Sequence, residues 1–401
     1  MPRPRPLLRR SRGTTDRLPR DVIVLGAVAF FVMLGFGVVV PVLPVYVRSF
    51  GVGYVEIGAV VSAFAVMRLV ANPFVGRLLT VAGDRTVLAA GIGIVAISSA
   101  LVGLATTYPQ VLLLRGAGGI GSAMFSVAAM TLLLGSTPER LRGRSLGFYQ
   151  GGFLVGGMAG PAVGGILSAV SLTAPFFFYA GTLVVAGVIG LVLLQPADRA
   201  AAACAAPPTP LRTVLRDARF QVACLANLAQ GWAGQGVRTA LVPVLVVEVL
   251  HREPAWTGIA FAVSAVVQTL ALGPAGRFVD TVGRRPAIAG AYTVAALAML
   301  GMAFTADVWI LVALLCAYGV AAAFMGTAPA ALVGDAAGGR GGQPVAVFQG
   351  FSDLGAIVGP LAAGLLLDAF SYPAAFGSAV VLLAAAALFS LRLPRALRRP
   401  A

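Results

Sequence analysis

The chain has 401 residues, of which 59% are hydrophobic and only 11% charged, and its mean hydropathy is +0.94. A water-soluble chain of this length needs far more charge to cover its surface, so the composition excludes a soluble globular protein and implies a membrane-embedded one. The formal net charge of +15 does not signal a nucleic-acid partner, because all 29 basic residues are arginine and nearly all lie in short segments between apolar runs; that placement encodes membrane topology and not a basic groove.

Residues 1–20, rich in Arg and Pro, precede the first apolar run. The run is too long for the core of a secretory signal and many similar runs follow, so this segment reads as a cytoplasmic tail. A span needs about 20 mostly apolar residues to cross the hydrocarbon core. By that measure the first half offers Val22–Val47, Ile57–Leu79, Val87–Thr106, Pro109–Leu134, Ser145–Val170 and Pro175–Leu194. A polar stretch, Gln195–Arg219, interrupts with Pro207, Pro208, Pro210 and several arginines. The second half offers Phe220–Val247, Thr257–Val279, Pro286–Thr305, Val308–Val333, Val345–Phe370 and Pro373–Leu391. Twelve spans are expected in an all-α membrane protein: a bundle over 21–195, a cytoplasmic linker over 196–219, a second bundle over 220–393 and a cytoplasmic tail over 394–401.

The arginines orient the chain. The N-terminal segment, the even-numbered loops and the C-terminal segment carry nearly all of them, while the opposite loops hold only Arg48 and Arg252. The positive-inside bias then places both termini and the central linker in the cytoplasm. The halves also repeat. Gly76-Arg77-Leu78 recurs as Gly276-Arg277-Phe278, Tyr149-Gln150-Gly151 as Phe348-Gln349-Gly350, and Gly160-Pro161 as Gly359-Pro360, at offsets of 200, 199 and 199 residues. Parallel repeats of this kind are a transporter design with the substrate site between the halves near the midplane.

Four local patterns carry a resemblance. Gly276 to Arg285 (Gly-Arg-Phe-Val-Asp-Thr-Val-Gly-Arg-Arg) resembles the loop signature of the major facilitator superfamily, with Gly276, Asp280, Gly283, Arg284 and Arg285 at its defining positions. The first-half copy keeps Gly76 and Arg77 but has Thr80 for the acid and Asp84 where an arginine is usual. Leu34-Gly35 followed by Pro41-Val42-Leu43-Pro44 resembles the first-helix signature of the twelve-span drug:proton antiporters, and two prolines there should break the helix. Arg115 with Gly119, Gly121 and Ala123 resembles their fourth-helix motif. Gly156-x-x-x-Gly160-Pro161-x-x-Gly164-Gly165 matches their fifth-helix motif in full. The glycines of the fifth-helix motif make a face that admits a neighbouring backbone, and its proline bends the helix.

The resemblance implies two six-helix bundles related by pseudo-two-fold symmetry, a monomer, and alternating access. It links the fifth-helix motif to exporters, Arg115 to proton movement, and Asp280 to a contact with a neighbouring helix start. The expected activity is proton-coupled efflux of small amphipathic compounds, drugs or metabolites, from the bacterial cytoplasmic membrane, as in multidrug resistance; the alternative is a symporter or facilitator importing a nutrient. Partners are then a small-molecule substrate, protons and the bilayer, with no nucleic acid and no cofactor. An integral membrane enzyme would need clustered His, Asp, Glu or Cys, and Cys204, Cys224, Cys316 and His251 form no such cluster or metal-ligand spacing. A membrane receptor would usually carry a sizeable soluble signalling segment.

Coupling needs a group inside the cavity that binds and releases a proton. Of the 14 acids only Asp353 falls well inside a span, four residues after Gln349 and so on the same helix face. Asp353 reads either as the proton site or as a structural partner to an intramembrane arginine. Three such arginines exist: Arg68, Arg115 and Arg238. The implied fold sets spans two and eleven side by side, which would let Arg68 balance Asp353, while Arg238 is a candidate for an anionic substrate group. Gln150, Asn227, Gln230, Gln235, Gln268 and Gln349 are candidates for cavity hydrogen bonds or for interhelical glue. Phe125, Phe153, Phe324 and Phe351 are candidate walls of an apolar pocket.

Overall fold

The computed structural model describes residues 18–137, 141–194, 211–336 and 342–393, and within these it leaves the side chains of 142, 143, 211, 212, 280, 342, 343 and 346 undescribed. The tails and most of the linker therefore lie outside the described residues. Every described element is helical. The first bundle contains α1 (Arg20–Val39), the short α2 (Leu43–Arg48), α3 (Tyr54–Ala82), α4 (Asp84–Gly103), α5 (Tyr108–Ser136), α6 (Arg142–Val170) and α7 (Ala174–Leu193). After α8 (Leu211–Leu215), the second contains α9 (Ala218–Gln230), a π-helical segment (Gly231–Arg238), α10 (Thr239–Glu248), α11 (Ala255–Thr281), α12 (Arg284–Phe304), α13 (Val308–Ala336), α14 (Gly342–Ala369) and α15 (Tyr372–Ser390).

Eleven of these helices are individually long and apolar enough to cross a membrane. The twelfth span is the seventh in order, where α9, the π segment and α10 run on as one rod. A helix keeps every backbone hydrogen bond inside itself, which is what a chain in hydrocarbon requires. The outer surface is accordingly apolar, with Leu113, Ile166, Phe74 and Leu270 all exposed. Each bundle has its own apolar core, one around Leu25, Ile92 and Phe176, the other around Tyr292, Tyr318 and Phe376.

Backbone detail follows from residue choice. Pro41 lies in the turn that ends α1, and Pro44 opens α2. Gly83 and Gly283 adopt φ of 82° and 115° in the equivalent turns α3–α4 and α11–α12, a region that other residues avoid. Loop acids cap helices: Asp217 accepts from the Arg219 N–H at 2.7 Å, and Asp307 accepts from the Trp309 and Ile310 N–H groups at 2.8 and 3.1 Å. Most helices also extend a few residues past the apolar runs, because capped turns persist outside the hydrocarbon region.

Candidate functional site

The glycines of the fifth-helix motif divide their work between two neighbours. Gly156, Gly160 and Gly164 on α6 lie against the α1 backbone at Phe30, Leu34, Gly37 and Val38. Gly165 instead faces the other bundle: a Cβ there would meet the Ala255 carbonyl oxygen at 2.8 Å and the Gly258 Cα at 3.2 Å on α11. The second-half copy repeats the arrangement. Gly355 and Gly359 on α14 pack on the seventh span at Leu228, Trp232 and Gly236, while Gly364 meets Tyr54 and Gly58 meets the Pro360 carbonyl across the bundle interface. Small residues at both diagonal crossings, α6–α11 and α3–α14, let the two bundles touch backbone to backbone.

These crossings close one end of the molecule, the end away from Arg20 and Ser390, here termed the far end. Polar contacts reinforce it. Asp368 on α14 accepts from the Tyr54 and Val55 N–H groups at 3.1 and 2.9 Å, so it caps the N-terminus of α3 from the opposite bundle. Glu248 at the end of α10 accepts from Arg48 Nε at 2.8 Å and from the Tyr54 hydroxyl, and the Arg48 guanidinium stands 4.4 Å from the Tyr54 ring centroid. Ser62 donates to the Ile357 carbonyl at 2.6 Å. Towards the termini end a Cβ at Gly147, Gly151 or Gly276 would meet nothing within 4 Å, in contrast to the backbone contacts at the far end.

Loss of Asp368 should loosen this closure. Asp368→Ala removes two interbundle hydrogen bonds and a favourable helix-terminus charge, about 1 kcal/mol. The expected outcome is a several-fold larger open population at the far end, read by distance measurements between spin labels at Ser49 and Glu253 in a cysteine-free background.

Between the bundles lies a cavity of about 340 Å³. Phe36 on α1, Phe64 on α3, Phe125 on α5, Phe153 on α6 and Tyr179 on α7 form its apolar walls. Polar groups come from both sides: Arg68, Arg115, Ser122 and Ser126 from the first bundle, and Gln235, Thr239, Gln349, Ser352 and Asp353 from the second. Arg68 Nη2 donates to Asp353 Oδ1 at 2.5 Å, an ion pair joining α3 to α14 across the interface. The Arg115 guanidinium stands 4.7 Å from the Phe64 ring centroid.

The remaining sequence candidates lie elsewhere. Asn227 is buried and donates to the Phe348 carbonyl at 2.7 Å, which ties α9 to α14 within one bundle. Arg238 stacks on Phe261 and Tyr318, 5.3 and 5.1 Å from their centroids, and Gln268 is half-buried; neither lines the cavity. Gln150 is exposed on α6, also off the cavity wall. Phe324 packs on Phe278, with centroids 5.7 Å apart, and Phe351 packs against the second core. In the loop motifs Gly76 and Gly276 have open space beside them and Thr80 donates to the Arg77 carbonyl. Arg284 pairs with Asp335 at 2.7 Å, and Arg285 is half-buried. The Asp280 side chain lies outside the described residues. Among the described residues no group of His, Cys, Asp and Glu could hold a metal.

Ser122, Ser126, Tyr179, Thr239 and Ser352 were not legible as cavity residues, because hydroxyls inside apolar runs leave no mark on hydropathy. The π segment did leave a signal, the glycines at 231, 234 and 236. Its wider turn places Gln235 and Thr239 at the cavity, and the Thr239 hydroxyl donates to the Gly234 carbonyl at 2.9 Å.

Family comparison completes the assignment. The family model of the Major Facilitator Superfamily matches residues 25–251 and 223–401. The chain belongs to this superfamily. Its members are transporters and not enzymes, so this is a multi-pass membrane transporter. The quinolone resistance protein NorA of Staphylococcus aureus is 27% identical over 176 residues, 44% of this chain and 45% of NorA. The synaptic vesicular amine transporter of Bos taurus is 30% identical over 236 residues, 57% of this chain and 44% of that protein. These matches span less than half the length of either relative. Among solved structures, a bacterial homologue of the human lysosomal transporter Spinster, inward-facing and occupied, superimposes with TM-score 0.76 at 16% identity, covering 92% of this chain and 95% of that one. The nucleoside transporter NupG gives 0.74 at 15%, covering 93% and 100%. Both share the twelve-helix, two-bundle fold.

Proposed function

We propose that this transporter exports small amphipathic compounds in exchange for protons, by rocking the bundles 21–195 and 220–393 about the central cavity. The observation that carries the reading is the Arg68–Asp353 pair, which joins the two bundles through the one carboxylate among the described residues of the cavity wall. Protonation of Asp353 removes its charge, releases Arg68 and weakens a contact that must break and re-form in each cycle. Arginine keeps its proton, so Arg68 and Arg115 act as fixed charges and Asp353 is the carrier.

Further support comes from the fifth-helix motif, whose Gly165 builds a bundle crossing, and from the partial likeness to NorA. The arginine bias supports cytoplasmic termini in a bacterial cytoplasmic membrane, which makes the far end the outer face and this conformation inward-open. One chain contains both bundles and the whole cavity, so a monomer suffices for transport.

The test uses everted membrane vesicles with an acid interior. Transported compounds should accumulate inside and raise the internal pH, and an uncoupler should abolish both effects. Accumulation in right-side-out vesicles, driven by inward proton flow, would instead establish a symporter. Movement unaffected by the uncoupler would establish a facilitator.

A further inference from the structure

The cavity holds more positive than negative charge. Among the described residues its charged wall groups are Arg68, Arg115 and Asp353, and the Asp353 carboxylate is taken by Arg68. Arg115 is only 7% exposed, its Nε is buried without a hydrogen-bond partner, and its guanidinium lies over the face of Phe64. A guanidinium presents five donors and stays charged, so leaving it buried without an acceptor is costly. On a cavity wall, unlike at Arg238 between its two aromatic rings, such an arrangement leaves room for an acceptor to arrive during the working cycle.

We propose that Arg115 is the anion subsite of the transport cavity, and that the substrates are amphipathic organic anions, an apolar body bearing one carboxylate. The inference rests on the reading of this cavity as the transport site. Ser122 follows Arg115 by seven residues, two helical turns along α5, and both line the cavity with Tyr179. The Arg115 guanidinium can bind an anionic head, while Phe36, Phe125 and Phe153 provide walls for the apolar body. A volume of about 340 Å³ suits a small two-ring molecule better than a bare inorganic ion. A cation placed here would face Arg115 with no free carboxylate among the described wall residues to compensate.

Three probes with one apolar body and different charge test this: 2-naphthoate, methyl 2-naphthoate and 2-naphthylmethylammonium. Each is radiolabelled and titrated onto the purified full chain in nanodiscs by equilibrium dialysis without a pH gradient. Naphthoate should bind about tenfold or more tighter than the ester, and the ammonium weakest, as a charge-assisted contact predicts. Arg115→Gln should weaken naphthoate about tenfold or more and the ester far less, while Arg115→Lys should retain part of the carboxylate preference. Naphthoate affinity equal to or below that of the ester overturns the proposal, as does saturable binding of none of the three. Equal weakening of all three probes in a folded Arg115→Gln also overturns it. The wild-type ordering alone is decisive if Arg115→Gln does not fold. Because binding is read at equilibrium, this result is independent of whether transport is proton-driven or outward.

Discussion

Asp353→Asn is expected to abolish substrate movement driven by a pH gradient while leaving substrate exchange across vesicles without a gradient intact. Asparagine keeps the size of the side chain and can still accept a hydrogen bond from Arg68, so the α3–α14 contact survives in weaker form. What disappears is the group that can gain and lose a proton. Arg68→Gln should behave differently: it leaves the carboxylate in place without its cationic partner, at a cost of about 1–2 kcal/mol after discounting for the partial exposure of the pair. That variant should keep some coupling, because the carboxylate that carries the proton is still on the cavity wall. Proton flux in everted vesicles, measured beside counterflow, separates the two. Gradient-driven transport that persists in Asp353→Asn would remove Asp353 from the mechanism.

Gly258→Val should trap the transporter with its far end open. A Cβ at this position would lie 2.5 Å from the Gly165 Cα and the Pro161 carbonyl oxygen, and 2.6 Å from the Gly165 nitrogen. All three are backbone atoms, so no side chain can rotate aside, and α6 and α11 must separate. Overpacking of this kind costs about 3 kcal/mol, roughly a hundredfold shift in the ratio of closed to open molecules. The clash falls between bundles and not within a core, so folding and thermal stability should change little. Transport should fall by at least about tenfold, and the label distance between Ser49 and Glu253 should lengthen. Gly276→Ala is the control: its Cβ meets open space in this conformation and leaves the far-end distance unchanged.

Both predictions involve helices that are remote in sequence, and this separates what was legible in the chain from what was not. The spans were legible because crossing a membrane imposes a one-dimensional rule of length and hydropathy. The seventh span shows the limit of that rule. Phe220–Val247 reads as one apolar run, yet the chain forms α9, a π segment and α10, since one extra residue per turn changes no hydropathy sum. Asn227 and Arg238 show another limit: hydropathy cannot tell a polar side chain facing a cavity from one facing a neighbouring helix.

The sequence by itself determined the membrane class, the twelve spans and the internal duplication, because each is written in hydropathy and repeat spacing, and its motifs carried the resemblance to the superfamily. It also singled out Asp353, Arg68 and Arg115 as the costly charges. Only the tertiary structure decided which of them meet: Arg68 pairs with a residue 285 positions away, while Arg115 stays without an acceptor at the cavity wall. It alone decided that Gly165 serves the interbundle crossing while Gly156, Gly160 and Gly164 serve α1. The physical reason is that helix rotation and neighbour choice are set by close packing of whole faces, which depends on every helix in the bundle at once.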